Sequence, residues 1–180
     1  MTESAVATAQ KWAIDPAHTE VQFKVKHLVI STVTGSFKEF NGEVFSENDD
    51  FDGADVNFTI QTNSVETNNA DRDAHLKSDD FFSAEKYPEI NFSGRLTHDG
   101  GDYELTGDLT IRDVTKKVTL DVDYNGKVKD PWGNTKAGFE LTGKLNRKDF
   151  GLTWNTFTEA GGVLVGEEVK LVINAQLATT

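Results

Sequence analysis

Apolar and polar residues alternate along most of this chain. Val21, Phe23 and Val25 alternate with Glu20, Gln22, Lys24 and Lys26. Val56, Phe58 and Ile60 alternate with Asn57, Thr59 and Gln61, and Ile90, Phe92 and Leu96 with Asn91, Ser93 and Arg95. Tyr103, Leu105, Leu109 and Ile111 share one parity, as do Val118, Leu120, Val122 and Tyr124. Phe139, Leu141 and Leu145 form another set, and Val169, Leu171, Ile173, Ala175 and Leu177 the last. A period of two sustained over so many segments predicts strands with one wet face and one dry face. Further strands are expected around 32–45 and at 12–14. Turn-forming residues separate these runs at 98–102, at 111–117 and at 129–134, where Pro131 and Gly133 stand. Such short links predict antiparallel neighbours. No repeat or domain boundary interrupts the pattern. The expectation is a flexible tail over residues 1–10 and a single domain over 11–180.

About eight strands with one apolar face each must hide those faces in a sandwich or a closed barrel. Gly35, Gly94, Gly107 and Gly143 fall on the apolar parity in mid-strand. Mid-strand glycine weakens a strand, so its repeated use needs a reason. Bending the strands of a closed barrel is one reason, and leaving lumen space is a compatible second. The fold class expected is all-β, an eight-stranded antiparallel barrel.

Residues 68–82, NNADRDAHLKSDDFF, break the alternation. Asn68 or Asn69 suits a helix N-cap, with Asp71 and Asp73 in the first turn, where the helix dipole favours carboxylates. Ser78 and Ser83 offer further caps, and Pro88 closes the excursion. Short helical segments are therefore expected around residues 69–87, lying across one barrel mouth. Asp71, His75 and Asp79 would share one face of a continuous helix, a weak metal-ligand pattern that Ser78 interrupts. No metal site is assigned. Arg72 and Asp73 are read as a tie between the excursion and the sheet.

His27 continues the inward parity of Val21, Phe23 and Val25, and Arg147 that of Phe139, Leu141 and Leu145. A strand-end position gives each an escape to solvent. The other reading places them at a cavity mouth, where they would hold a ligand's head group. NRKDFGLTW at 146–154 is distinctive, and its Phe150 and Trp154 read as core or lumen-lining.

Charge narrows the partners. Eighteen basic residues face 30 acidic ones, for a formal net charge of −12. Nucleic acid is not expected as a partner on that balance. An anionic membrane repels such a surface on average, although net charge says nothing of local patches. The chain has no cysteine, which removes disulfides, thiolate metal sites and cysteine nucleophiles. Its mean hydropathy is −0.47, and no apolar run approaches the ~20 residues that span a bilayer. MTESAVATAQKW has an early Glu3 and no basic n-region, so it does not read as a secretory signal. A cytoplasmic location is expected, or a periplasmic one if a leader has been removed. Nucleophile-elbow, zinc-protease, phosphate-loop and dinucleotide motifs are all missing, and no catalytic residue or cofactor is assigned.

Several longer stretches carry a resemblance. They are WAIDPAHTEVQFKVKHL at 12–28, TGSFKEFNGEV at 34–44, RDAHLKSDDFFSAEKYPEINF at 72–92, LTGDLTIRDVTKKVTL at 105–120 and LNRKDFGLTW at 145–154. In order and spacing the chain resembles the YceI-like family, also called polyisoprenoid-binding or lipocalin-like, from Trp12 to about Ala178. The resemblance implies an extended eight-stranded lipocalin-like barrel around an apolar channel. Its occupant would be an isoprenoid or acyl amphiphile, such as a quinone-like molecule, a prenyl phosphate or a fatty-acid derivative. A homodimer is a further expectation. In that frame the inward residues Phe23, Val25, Phe58, Ile60, Phe92, Leu109, Leu141 and Ile173 are expected to line the channel. His27, Arg72 and His75 are expected at its polar mouth. Two other functions stay open: an enzyme on a similar amphiphile with His27 or His75 as general base, and an interaction module with a filled core.

Overall fold

The structure is a computed structural model that describes residues 10–28, 30–48, 50–99, 102–155 and 165–179. Strand segments are β1 (Gln10–Ile14), β2 (Glu20–His27), β3 (Ser31–Phe37), β4 (Phe40–Ser46), β5 (Ala54–Gln61) and β6 (Val65–Glu66). They continue with β7 (Glu89–Asp99), β8 (Asp102–Ile111), β9 (Val114–Lys129), β10 (Thr135–Asn146) and β11 (Val165–Thr179). One α-helix, α1 (Ala70–Lys77), lies among the described residues. The tail expected over 1–10 lies outside them except for Gln10, which already pairs with Ser46 in β4.

These segments build eight long strands. β1 and β2 lie along the same edge of β11, where Ile14 faces Leu177 and Val21 faces Ile173. β3 and β4 follow that bent strand as its neighbour, pairing β2 and β1 respectively. β5 and β6 repeat the arrangement against β4 and β3. From β7 to β11 each strand pairs antiparallel with the next, and the β1–β11 pairing closes the barrel. The bend between β1 and β2 is built from sequence. Pro16 opens a 3-10 turn, and the Asp15 carboxylate accepts from the Ala17 amide at 3.1 Å. Thr19 Oγ1 accepts from the Gln176 amide at 3.1 Å, so the bent strand stays attached to β11 where the ladder lapses.

One end of the barrel is plugged. The β4–β5 loop drives Phe51, 1% exposed, between Trp12, Phe139 and Tyr124 at ring-centroid distances of 5.0, 5.1 and 5.5 Å. Tyr103 ties the loop down by donating its hydroxyl to the Asp50 carbonyl at 2.7 Å. The other end carries the β2–β3 hairpin, the β8–β9 hairpin, residues 147–155 and the excursion 67–88.

The inward glycines of the barrel wall make room for neighbours. None of Gly35, Gly94, Gly107 and Gly143 has positive φ. A Cβ on Gly35 would lie 2.3 Å from the Phe23 ring, and one on Gly107 would lie 2.8 Å from the Phe92 ring. The Phe23 ring thus lies over Gly35 and the Phe92 ring over Gly94 and Gly107, while the Leu120 side chain takes the place beside Gly143.

Two local expectations change. The turn placed at 111–117 shrinks to Arg112 and Asp113, because Val114 and Thr115 already pair with Ile111 and Thr110. Arg112 takes φ 56°, the left-handed geometry of a tight hairpin. In the excursion only 70–77 forms α-helix; Asn69 Oδ1 accepts from the Arg72 amide at 3.0 Å, and Ser78 ends it.

Candidate ligand-binding cavity

Inward residues pack into two clusters, yet the inward faces do not close up completely between them. They enclose a cavity of about 350 Å³ to which each of the eight long strands contributes wall residues. All eight residues expected to line a channel stand on this wall: Phe23, Val25, Phe58, Ile60, Phe92, Leu109, Leu141 and Ile173. Most are only half-buried although they point inward, because they border empty space instead of other side chains. The interior is therefore not packed solid.

His27, Arg72 and His75 also stand on the wall, at the end opposite the aromatic plug. Arg72 Nε donates to Thr67 Oγ1 at 2.8 Å and Nη2 to the Thr67 carbonyl at 2.7 Å. Asp73 accepts from the amide and hydroxyl of the same threonine at 2.8 and 2.6 Å. The two charged neighbours on α1 thus grip the chain just beyond β6, which fixes the helix across the barrel end. His75 Nε2 lies 2.9 Å from Asp80, and its ring packs edge-on against Trp154 and Phe81 at 4.6 and 5.1 Å. Arg112 completes the attachment by donating to the carbonyls of Asp79 and Phe81, both at 3.2 Å.

Asp71, His75 and Asp79 do not share a helix face, since α1 ends at Lys77. Among the described residues no three His, Asp or Glu side chains converge as metal ligands would.

Arg147 departs from its expected escape to solvent. It is 3% exposed and borders the cavity. Its guanidinium donates to the carbonyls of Gly166 at 2.8 Å, Leu152 at 2.5 Å, Trp154 at 2.9 Å and Val165 at 3.3 Å. Burial lowers its pKa from the ordinary arginine value, with Glu167 opposing. Among the described residues no carboxylate comes within ion-pair distance of Arg72 or Arg147. Trp154 and Lys26 also border the cavity. For Arg147 and Trp154 the signal lay in LNRKDFGLTW; for Lys26, on the polar parity, the sequence held no signal.

A closed antiparallel barrel of eight strands, hollow, with an apolar wall and a polar rim at one end, defines the architectural class. Within that class the model of the YceI-like domain matches residues 12–177, and the chain belongs to this family. Protein YceI of Escherichia coli is 43% identical over 175 residues, covering 96% of this chain and 88% of that one. The crystal structure of the Campylobacter jejuni YCEI protein superposes with a TM-score of 0.68 at 34% identity, covering 100% of this chain and 99% of the other. A polyisoprenoid binding domain from Saccharophagus degradans shares the fold, with a TM-score of 0.66 at 14% identity over 94% of this chain and 98% of its own.

Proposed function

We propose that this protein binds a long amphiphilic lipid without transforming it, as a carrier or store. The tail lies in the cavity, and the head group sits near His27, Arg72 and His75. The observation that carries the reading is the apolar cavity of about 350 Å³, contributed by the whole barrel wall. Each methylene moved from water into such a space contributes roughly 0.8 kcal/mol. Two five-carbon units therefore offset much of the ~4–15 kcal/mol that immobilising a ligand costs. A protein of the same fold described as a polyisoprenoid binding domain supports an isoprenoid occupant. Quinone-like and fatty-acid derivatives meet the same chemical requirement.

Native mass spectrometry of protein purified without added ligand is expected to show a lipid-sized adduct. Delipidated protein should then take up a prenyl or acyl probe at micromolar concentration and return it with unchanged mass after long incubation. Absence of any uptake would end the binding reading, and a changed mass would replace it with the enzymatic one.

A further inference from the structure

The ladders around β11 bring three lysines side by side. Lys144 of β10 faces Lys170 of β11, and Lys170 faces Lys24 of β2. All three are on the polar parity of their strands, pointing away from the cavity. Like charges directly opposite each other weaken a sheet. Among the described residues none of the three lies within ion-pair distance of a carboxylate. Such a row is unexpected in a chain of net charge −12, whose acids far outnumber its bases.

The same strands lead to an exposed apolar tip. β2 ends at His27, on the cavity wall, and the next residue, Leu28, is 38% exposed. Ile30, just before β3, is 85% exposed. Among the described residues little packs against an isoleucine so exposed at a hairpin tip. Lys24 stands four residues from Leu28, roughly 13 Å along the strand. Lysine stems reach several ångströms further and keep their ammonium groups in a polar layer. An apolar tip backed at that depth by cations fits a bilayer surface. The tip enters the boundary of head groups and acyl chains, and the lysines meet anionic head groups behind it.

We propose that the end of the barrel carrying the β2–β3 hairpin docks on an anionic lipid surface through Leu28, Ile30, Lys24, Lys144 and Lys170. A second exposed apolar tip exists at the plugged end, where Trp132 is 83% exposed. The His27 end is favoured because there the tip adjoins the cavity, so a docked molecule presents its polar rim to the lipid. That purpose rests on the lipid-binding reading; the docking itself does not.

The test is co-sedimentation with phosphatidylcholine vesicles, with and without phosphatidylglycerol. The protein is expected to bind the anionic vesicles, less so as salt rises, and to leave the neutral ones. The Lys24→Gln/Lys144→Gln/Lys170→Gln variant should lose about 100-fold in affinity. Leu28→Ser/Ile30→Ser should lose at least about tenfold, whereas Trp132→Ser should bind as the parent does. Thermal melting and uptake of a soluble prenyl probe, measured on each variant, separate lost docking from lost folding or a lost cavity. Failure of the parent to bind anionic vesicles overturns the proposal, as does equal binding to neutral ones. So does loss of binding in Trp132→Ser alone, or capture of a protein partner by this face without vesicle binding. Probe uptake that persists without vesicle binding removes the docking and leaves the proposed function intact.

Discussion

Arg147 carries its charge into the barrel wall, where it donates to backbone oxygens and stands 5.9 Å from the centre of the Phe81 ring. Parity placed it inward beside Leu145, but nothing local foretold its acceptors. Leu152, Trp154, Val165 and Gly166 reach it only because the chain reverses after β10. A strand-end cation read from one strand looks free to leave, whereas four carbonyls from two other segments hold it. Arg147→Met should keep the apolar stem and leave those carbonyls without donors. Urea unfolding is expected to show a loss of roughly 3 kcal/mol, the scale of buried polar groups left unpaired. Arg147→Lys should recover part of it, since an ammonium serves fewer acceptors. Variants as stable as the parent would mean that the carbonyls find other donors.

The strands themselves were legible from alternation alone, because each presents one face to the cavity and one to water. Their merging was not. No local feature says that β1 and β2 form one bent strand along β11, since that depends on which edge each finds. Asp15 sits at the bend, where it joins His18 at 3.0 Å and Lys136 at 3.3 Å. The hydrogen bond from His18 lowers its pKa most; burial opposes this, and Lys136 and the Ala17 amide add to the lowering. A carboxyl whose folded pKa lies below its unfolded one stabilises the fold above the unfolded value, and that contribution is lost as pH falls through the folded value. The ordinary value is 3.8, so the contribution is complete at neutral pH and fades only in acid. Asp15→Asn keeps a side chain able to cap the turn but removes the charge. The parent should therefore be the more stable at neutral pH, and the gap should narrow as pH drops below about 4. Unfolding curves across that range decide it; a gap independent of pH would assign the bend to hydrogen-bond geometry and not to charge.

Closure of the barrel could be argued from the inward glycines and from the family resemblance, but the width of its bore could not. Void volume depends on how rings turn, and that is settled by packing between strands distant in sequence. Phe92 lies over Gly94 and Gly107, and Phe23 over Gly35, so large side chains hug the wall instead of crossing the lumen. A filled barrel and a hollow one can therefore share the same alternation. The two respond oppositely to added bulk. In a packed core, inserting extra carbon atoms costs ~1–3 kcal/mol through forced side-chain shifts. In this barrel Ile173 borders the cavity of about 350 Å³ and is only half-buried. Ile173→Phe should place its ring in empty space, so the melting temperature should hold or rise, as cavity-filling changes commonly bring. Uptake of a prenyl probe should fall at the same time, because the ring occupies volume that the tail needs. A drop in melting temperature with uptake unchanged would mean that the lumen closes in solution and that the lipid lies elsewhere.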